Sequence, residues 1–131
     1  MTSSSPEAPR RGILLFGHGA RDPQWALPFE RIAARLRELD PAIEVQLGFL
    51  EFMQPDLPGA ARALVERGCT VVAIVPLFLG AGGHVRRDVP PLVEALGGRH
   101  PGTRFSLHPA IGEIPAVVDA MAQASLDALA P

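Results

Sequence analysis

Ile13-Leu14-Leu15-Phe16-Gly17-His18-Gly19-Ala20-Arg21-Asp22-Pro23 is the stretch that decides the fold. Four consecutive apolar residues without alternation read as a parallel strand covered on both faces. Gly17-His18-Gly19 follows as a loop, with Asp22 placed as a helix N-cap and Pro23 at the first helical position. Beyond it, Trp25, Phe29, Ile32, Leu36 and Leu39 recur at alternating steps of four and three, the apolar stripe of one helix. Strand, glycine loop and helix in that order open a βαβ unit. A polar side chain at the carboxyl end of such a strand stands where open parallel sheets bind ligands. His18 is such a side chain.

The pattern continues outward. Strands are predicted over 12–17, 43–50, 70–79 and 103–107. Pro55 and Pro58 start a second helix with Leu57, Ala61, Leu64 and Val65 as apolar positions, and Gly68 stops it. The third strand is the most apolar and suits the middle of a sheet, with Pro76 near its end because proline removes a ladder donor. After the Gly80–Gly83 loop and His84, the sequence Asp88-Val89-Pro90-Pro91 opens a short helix that stops at Gly97-Gly98. A last helix runs from about Glu113 to Leu129, with Ile114, Val117, Val118, Met121 and Leu129 as its buried side. The order βαβαβαβα predicts an α/β fold: one domain over 11–131, a four-stranded parallel sheet flanked by helices on both faces. Residues 1–10 are expected to be a disordered N-terminal segment.

The chain also partly repeats itself. His18-x-x-Arg21-Asp22 is echoed about half the chain later by His84-x-x-Arg87-Asp88, again after an apolar run.

Composition removes several function classes. A net charge of −2 argues against nucleic-acid binding driven by bulk charge. No apolar run is long enough to cross a bilayer, and the start lacks the apolar centre of a signal peptide. A soluble, cytoplasmic protein is expected. One cysteine, Cys69, excludes an intramolecular disulfide and a thiolate cluster. All 12 basic residues are arginine, so every side-chain cation other than a charged histidine is a guanidinium, a group suited to carboxylates.

His18 and His84 are candidate metal ligands, since neutral imidazole accepts cobalt, nickel, iron or zinc ions. Glu51, between Leu50 and Phe52 at the end of the second strand, supplies a carboxylate from a third strand end. Two histidines and a carboxylate form a recognised metal-binding set. Set among apolar side chains, Glu51 is expected to have a raised pKa unless a cation compensates, so it serves as ligand or as proton acceptor. Asp22 and Asp88 either orient the imidazoles or simply cap helices, the simpler reading. Arg21, Arg86 and Arg87 flank the histidines and, if they face the cleft, draw in a multiply carboxylated ligand; otherwise they are ordinary surface charge. Trp25, Phe52 and Phe78 either form a flat apolar wall or, more simply, pack in the core. His108 ends the fourth strand and can join the site, whereas His100 reads as an exposed turn residue.

Gly-His-Gly-x-Arg at the first strand end, Phe49-Leu50-Glu51 at the second, and Val75-Pro76-Leu77-Phe78-Leu79 leading to His84-Val85-x-x-Asp88-Val89-Pro90 at the third resemble the sirohydrochlorin chelatases, the class II chelatases of cobalamin and sirohaem synthesis. The likeness extends into Pro109-Ala110-Ile111-Gly112 and covers nearly the whole chain from about Arg11. It implies a chelatase-like α/β fold and ATP-independent insertion of a divalent metal, Co²⁺ or Fe²⁺ with Ni²⁺ as a further option, into a tetrapyrrole, with no organic cofactor. The family's two histidines match His18 and His84, and its acidic residue matches Glu51. Arg21, Arg86 and Arg87 become candidate partners of the substrate's carboxylates. Short members are similar to one half of longer two-lobed enzymes, which implies a homodimer. Ala20 departs from the serine the family often carries, which removes any hydroxyl role beside His18.

The alternative is a non-catalytic metal-binding or delivery protein using the same ligands. A histidine phosphatase needs an arginine directly before the histidine, where this chain has Gly17, and the Gly-x-Ser-x-Gly of many serine hydrolases is absent.

Overall fold

The structure is a computed structural model and describes residues 9–131, with the side chain of His84 outside that description. Four strands, β1 (Arg11–Gly17), β2 (Glu44–Phe49), β3 (Val71–Pro76) and β4 (Arg104–Leu107), form one all-parallel sheet in the order β2-β1-β3-β4. The helices are α1 (Leu27–Leu39), α2 (Leu57–Glu66), α3 (Gly83–Arg99) and α4 (Pro115–Asp127), with 3-10 turns at Pro23–Ala26 and Ile111–Glu113. The strand and helix order matches the sequence reading, and β3 lies inside the sheet with Pro76 as its last residue. Of the segment expected to fray, residues 1–8 lie outside the described residues, while the Arg10 carbonyl accepts from the Thr70 and Val71 N–H groups. No described helix is long and apolar enough to cross a membrane.

The two faces of the sheet are covered unequally. On one face Leu14, Phe16, Val72 and Ile74 pack under α2 and α3 through Leu57, Ala60, Ala61, Leu64, Val89, Val93 and Leu96. These side chains are at or near complete burial, each stabilising the fold by about 1.5–3 kcal/mol if aliphatic and large. On the other face the core is smaller: Leu15, Val45 and Ala33 of α1, with Ile13, Leu36, Leu47 and Val75 partly buried around them.

That inequality limits one reading and corrects another. The α1 stripe is not all core, because Ile32 is 41% and Leu39 64% exposed and only Ala33 of the helix is buried. The apolar side assigned to the last helix is not buried either; no residue of α4 is buried, and Val118, Met121 and Leu126 are exposed. Periodicity reports that a helix has an apolar face, not that anything lies against it.

A further correction concerns α3. It begins at Gly83, not at Asp88, and runs through Pro90-Pro91 and Gly97-Gly98 to Arg99. An interior proline costs about 3 kcal/mol, but Val89, Val93 and Leu96, spaced four and three, all bury against the sheet. Burial of that stripe on both sides of the prolines outweighs the lost hydrogen bonds. Asp88 is therefore a helix-interior residue and not an N-cap, the cap position being Gly82. By contrast, Asp22 and Asp56 do cap: Gln24 N–H donates to Asp22 Oδ1 at 3.0 Å, and Gly59 N–H to Asp56 Oδ1 at 2.9 Å.

Cys69 is buried, and that burial first, then the nearby Glu44 charge, pushes its thiol above the ordinary range. It is held as a neutral packing group, unsuited to metal binding.

Candidate metal-handling site

The site is built on the carboxyl edge of the sheet. β1 and β2 keep pairing beyond their last strand residues: Leu50 N–H donates to the Gly17 carbonyl at 2.9 Å and Glu51 N–H to the His18 carbonyl at 3.0 Å. His18 and Glu51 are thus neighbours through the backbone, although far apart in sequence. Gly19 makes this approach possible. Its φ is +95°, and a Cβ there would stand 1.7 Å from the Glu51 carbonyl oxygen. Only glycine fits that contact and that dihedral.

Both side chains are exposed. The His18 ring meets the edge of Phe78, with centroids 5.3 Å apart at 62°. Phe78 is buried and anchors the imidazole from below. Glu51 is not enclosed by Leu50 and Phe52 as its sequence neighbours suggest, because the chain turns there and leaves the carboxylate in solvent.

His84 sits in the first turn of α3, which follows β3, the strand paired with β1 on its other side. Its backbone therefore belongs to the same edge of the sheet, and the expectation for its imidazole lies outside the described residues. Among the described residues no three histidine, cysteine, aspartate or glutamate side chains form a metal-sized cluster.

The arginines separate. Arg21 lays its guanidinium over the Phe52 ring, 4.7 Å from the centroid. Arg86 pairs with Glu113 at 3.4 Å, an exposed bridge of little net worth. Arg87 is exposed. Beside Phe78, a cavity of about 220 Å³ opens between α3 and the end of β4, lined by Val85, Arg86, Leu107, His108 and Glu113 among others. His108, one option for the site, faces this cavity, with Nε2 3.1 Å from Ser106 Oγ. His100 is half-buried at the end of α3 and packs on Phe105, rather than standing free in a turn. At about 220 Å³ the cavity beside Phe78 lies below the usual range of ligand pockets.

Of the three aromatics weighed as wall or core, Phe78 is buried and Trp25 half-buried against Phe29 and Phe49. Phe52 is 58% exposed. Sequence reasoning missed the Arg21–Phe52 and Arg86–Glu113 pairs, since contacts between residues so distant in the chain leave no periodic signal.

The fold is an open parallel α/β sheet that carries the exposed side chains of His18 and Glu51 at its carboxyl edge. Comparison supplies the family: the CbiX model matches residues 12–128, and this chain belongs to that family. It is 32% identical over 88 residues to a sirohydrochlorin cobaltochelatase of Methanocaldococcus jannaschii, a match covering 67% of this chain and 62% of the relative. With the sirohydrochlorin cobaltochelatase of Sulfolobus acidocaldarius the identity is 38% over 79 residues, 60% of this chain and 63% of that one. The chain thus aligns with less than two thirds of either relative. The CbiX protein of Marinobacter aquaeolei VT8 superposes with a TM-score of 0.78 at 30% identity, over 91% of this chain and 97% of that one. The sirohydrochlorin chelatase SirB of Bacillus subtilis, solved in complex with cobalt, gives 0.76 at 28%, over 90% of this chain but 50% of its own.

Proposed function

We propose that this protein inserts a divalent metal, cobalt or iron, into sirohydrochlorin without ATP. The observation that carries the reading is the junction of β1 and β2, which sets exposed His18 beside exposed Glu51 on the sheet edge that also carries the first turn of α3. The names of the relatives, and the cobalt in one solved neighbour, support the same metal and macrocycle chemistry.

Insertion requires the metal to shed water and two pyrrole N–H protons to leave. His18 and His84 hold the incoming ion with coordination positions left open, so that ring nitrogens replace the remaining ligands one by one. Glu51 stands in solvent beside His18, free to complete the metal's ligand set or to take a pyrrole proton. Arg21, Arg86 and Arg87 receive carboxylates of the substrate; Arg86 exchanges its exposed Glu113 partner at little cost.

We also infer that two copies pair. The cavity beside Phe78 is too small for a macrocycle, SirB is about twice the matched length, and α4 buries none of its residues. A second copy supplies the opposing wall.

The test is spectral. Sirohydrochlorin with Co²⁺, Fe²⁺ or Ni²⁺ should convert faster with the protein than alone, and light scattering should report twice the chain mass. Metal binding with no acceleration would mean a delivery protein instead.

A further inference from the structure

Phe52 lies at the tip of the turn that follows β2. Its φ is +67°, the one left-handed non-glycine residue among the described residues, and the Met53 N–H closes the turn onto the Glu51 carbonyl at 2.8 Å. A γ-turn of this hand is rare and strained, and a bulky side chain at positive φ is unfavourable in itself. The turn's product is a phenylalanine that is 58% exposed, directly after Glu51 and on the same sheet edge as His18. Neither feature helps folding: the ring joins neither hydrophobic core, and the backbone is strained to hold it in water. Strain of this kind gathers at ligand-binding positions.

The ring is also held in a defined setting. Arg21, from the β1 loop, lies over it at 4.7 Å, the distance of a cation–π contact. The Arg21 loop is fixed to the Phe52 loop by the Gly19–Glu51 backbone contact. A flat apolar surface and a guanidinium are therefore presented together, beside a donor pair.

We propose that Phe52 is a substrate-binding residue, its ring the surface on which the face of the tetrapyrrole rests, with Arg21 as a movable cover that leaves the ring for a carboxylate at the macrocycle's rim. The assignment rests on the chelatase reading above. A conjugated macrocycle offers the π-face that stacks on an aromatic ring, and its acidic arms offer the partner that draws the guanidinium away.

The experiment titrates metal-free sirohydrochlorin into wild type, Phe52→Gly and Phe52→Trp, follows the macrocycle's absorption, and adds steady-state Co²⁺ insertion and thermal unfolding. Glycine adopts φ +67° without strain, so F52G should melt at the same temperature or higher. Its Kd and KM for sirohydrochlorin should nonetheless rise about tenfold, with kcat within about twofold. F52W should bind as wild type does. Unchanged Kd and KM in F52G, or lost affinity in F52W, overturn the stacking role and leave the chelatase reading standing. Weakened binding accompanied by a lower melting temperature in F52G makes the residue structural and likewise overturns it. A wild type that neither binds nor metallates sirohydrochlorin overturns both.

Discussion

Two stretches of this chain share a spelling and not a shape. In Gly17-His18-Gly19-Ala20-Arg21-Asp22 the histidine leaves a strand, a left-handed glycine locks onto a neighbouring loop, and the aspartate caps a 3-10 turn. In Gly83-His84-Val85-Arg86-Arg87-Asp88 every residue is helical. What the two copies have in common is their address, since both follow strands that are neighbours in the sheet. The repeat is one of residue types after neighbouring strands and carries no common backbone.

That contrast is most sharply tested on the histidines. If the address alone matters, His18→Ala and His84→Ala should each bring cobalt insertion into sirohydrochlorin down to the spontaneous rate. The expected fall exceeds about 100-fold, beyond the usual effect of losing a ligand's supporting partner, with melting temperature unchanged for the exposed His18. A variant of either residue that retains insertion breaks the functional equivalence of the copies.

The glycines should behave oppositely. Gly19→Ala drives a Cβ into the Glu51 carbonyl at φ +95° and should destabilise by about 2–5 kcal/mol in urea unfolding. Gly83→Ala meets nothing within 4 Å and should be neutral or stabilise by about 0.5 kcal/mol. Equal effects at the two sites would mean the loop and the helix are not as different as described.

A smaller loss than that at Gly19 belongs to the first aspartate. Asp22→Ala removes the acceptor for the Gln24 N–H and should cost about 1 kcal/mol of stability, read from the urea midpoint at constant slope. Rescue by Asp22→Ser would confirm capping as the mechanism.

Much of this was legible in the chain. Ile13–Phe16 and the 70–79 run declare buried parallel strands because both faces of such strands are apolar, although β3 itself ends earlier, at Pro76. Pro23, Pro58 and Gly68 mark helix ends by local chemistry, and the structure places them there, with Asp56 as the cap ahead of Pro58; Gly68 has φ +90°. The start of α3, at Gly83, departs from the local signal for an equally physical reason. Pro90 and Pro91 forbid hydrogen bonds locally, and only the burial of Val89, Val93 and Leu96 against the sheet overrides them. Glu51 looked enclosed because Leu50 and Phe52 flank it, but sequence neighbours in a tight turn point apart.

The chain by itself determined the succession of strands and helices and put His18 and Glu51 at strand ends, because apolar runs, caps and breakers act over a few residues. The tertiary structure decided which apolar faces find cover, leaving α4 without a buried residue and Phe52 exposed under Arg21, and it joined the backbones of Glu51 and His18. Those outcomes depend on which distant segment lies alongside, and no local preference encodes that.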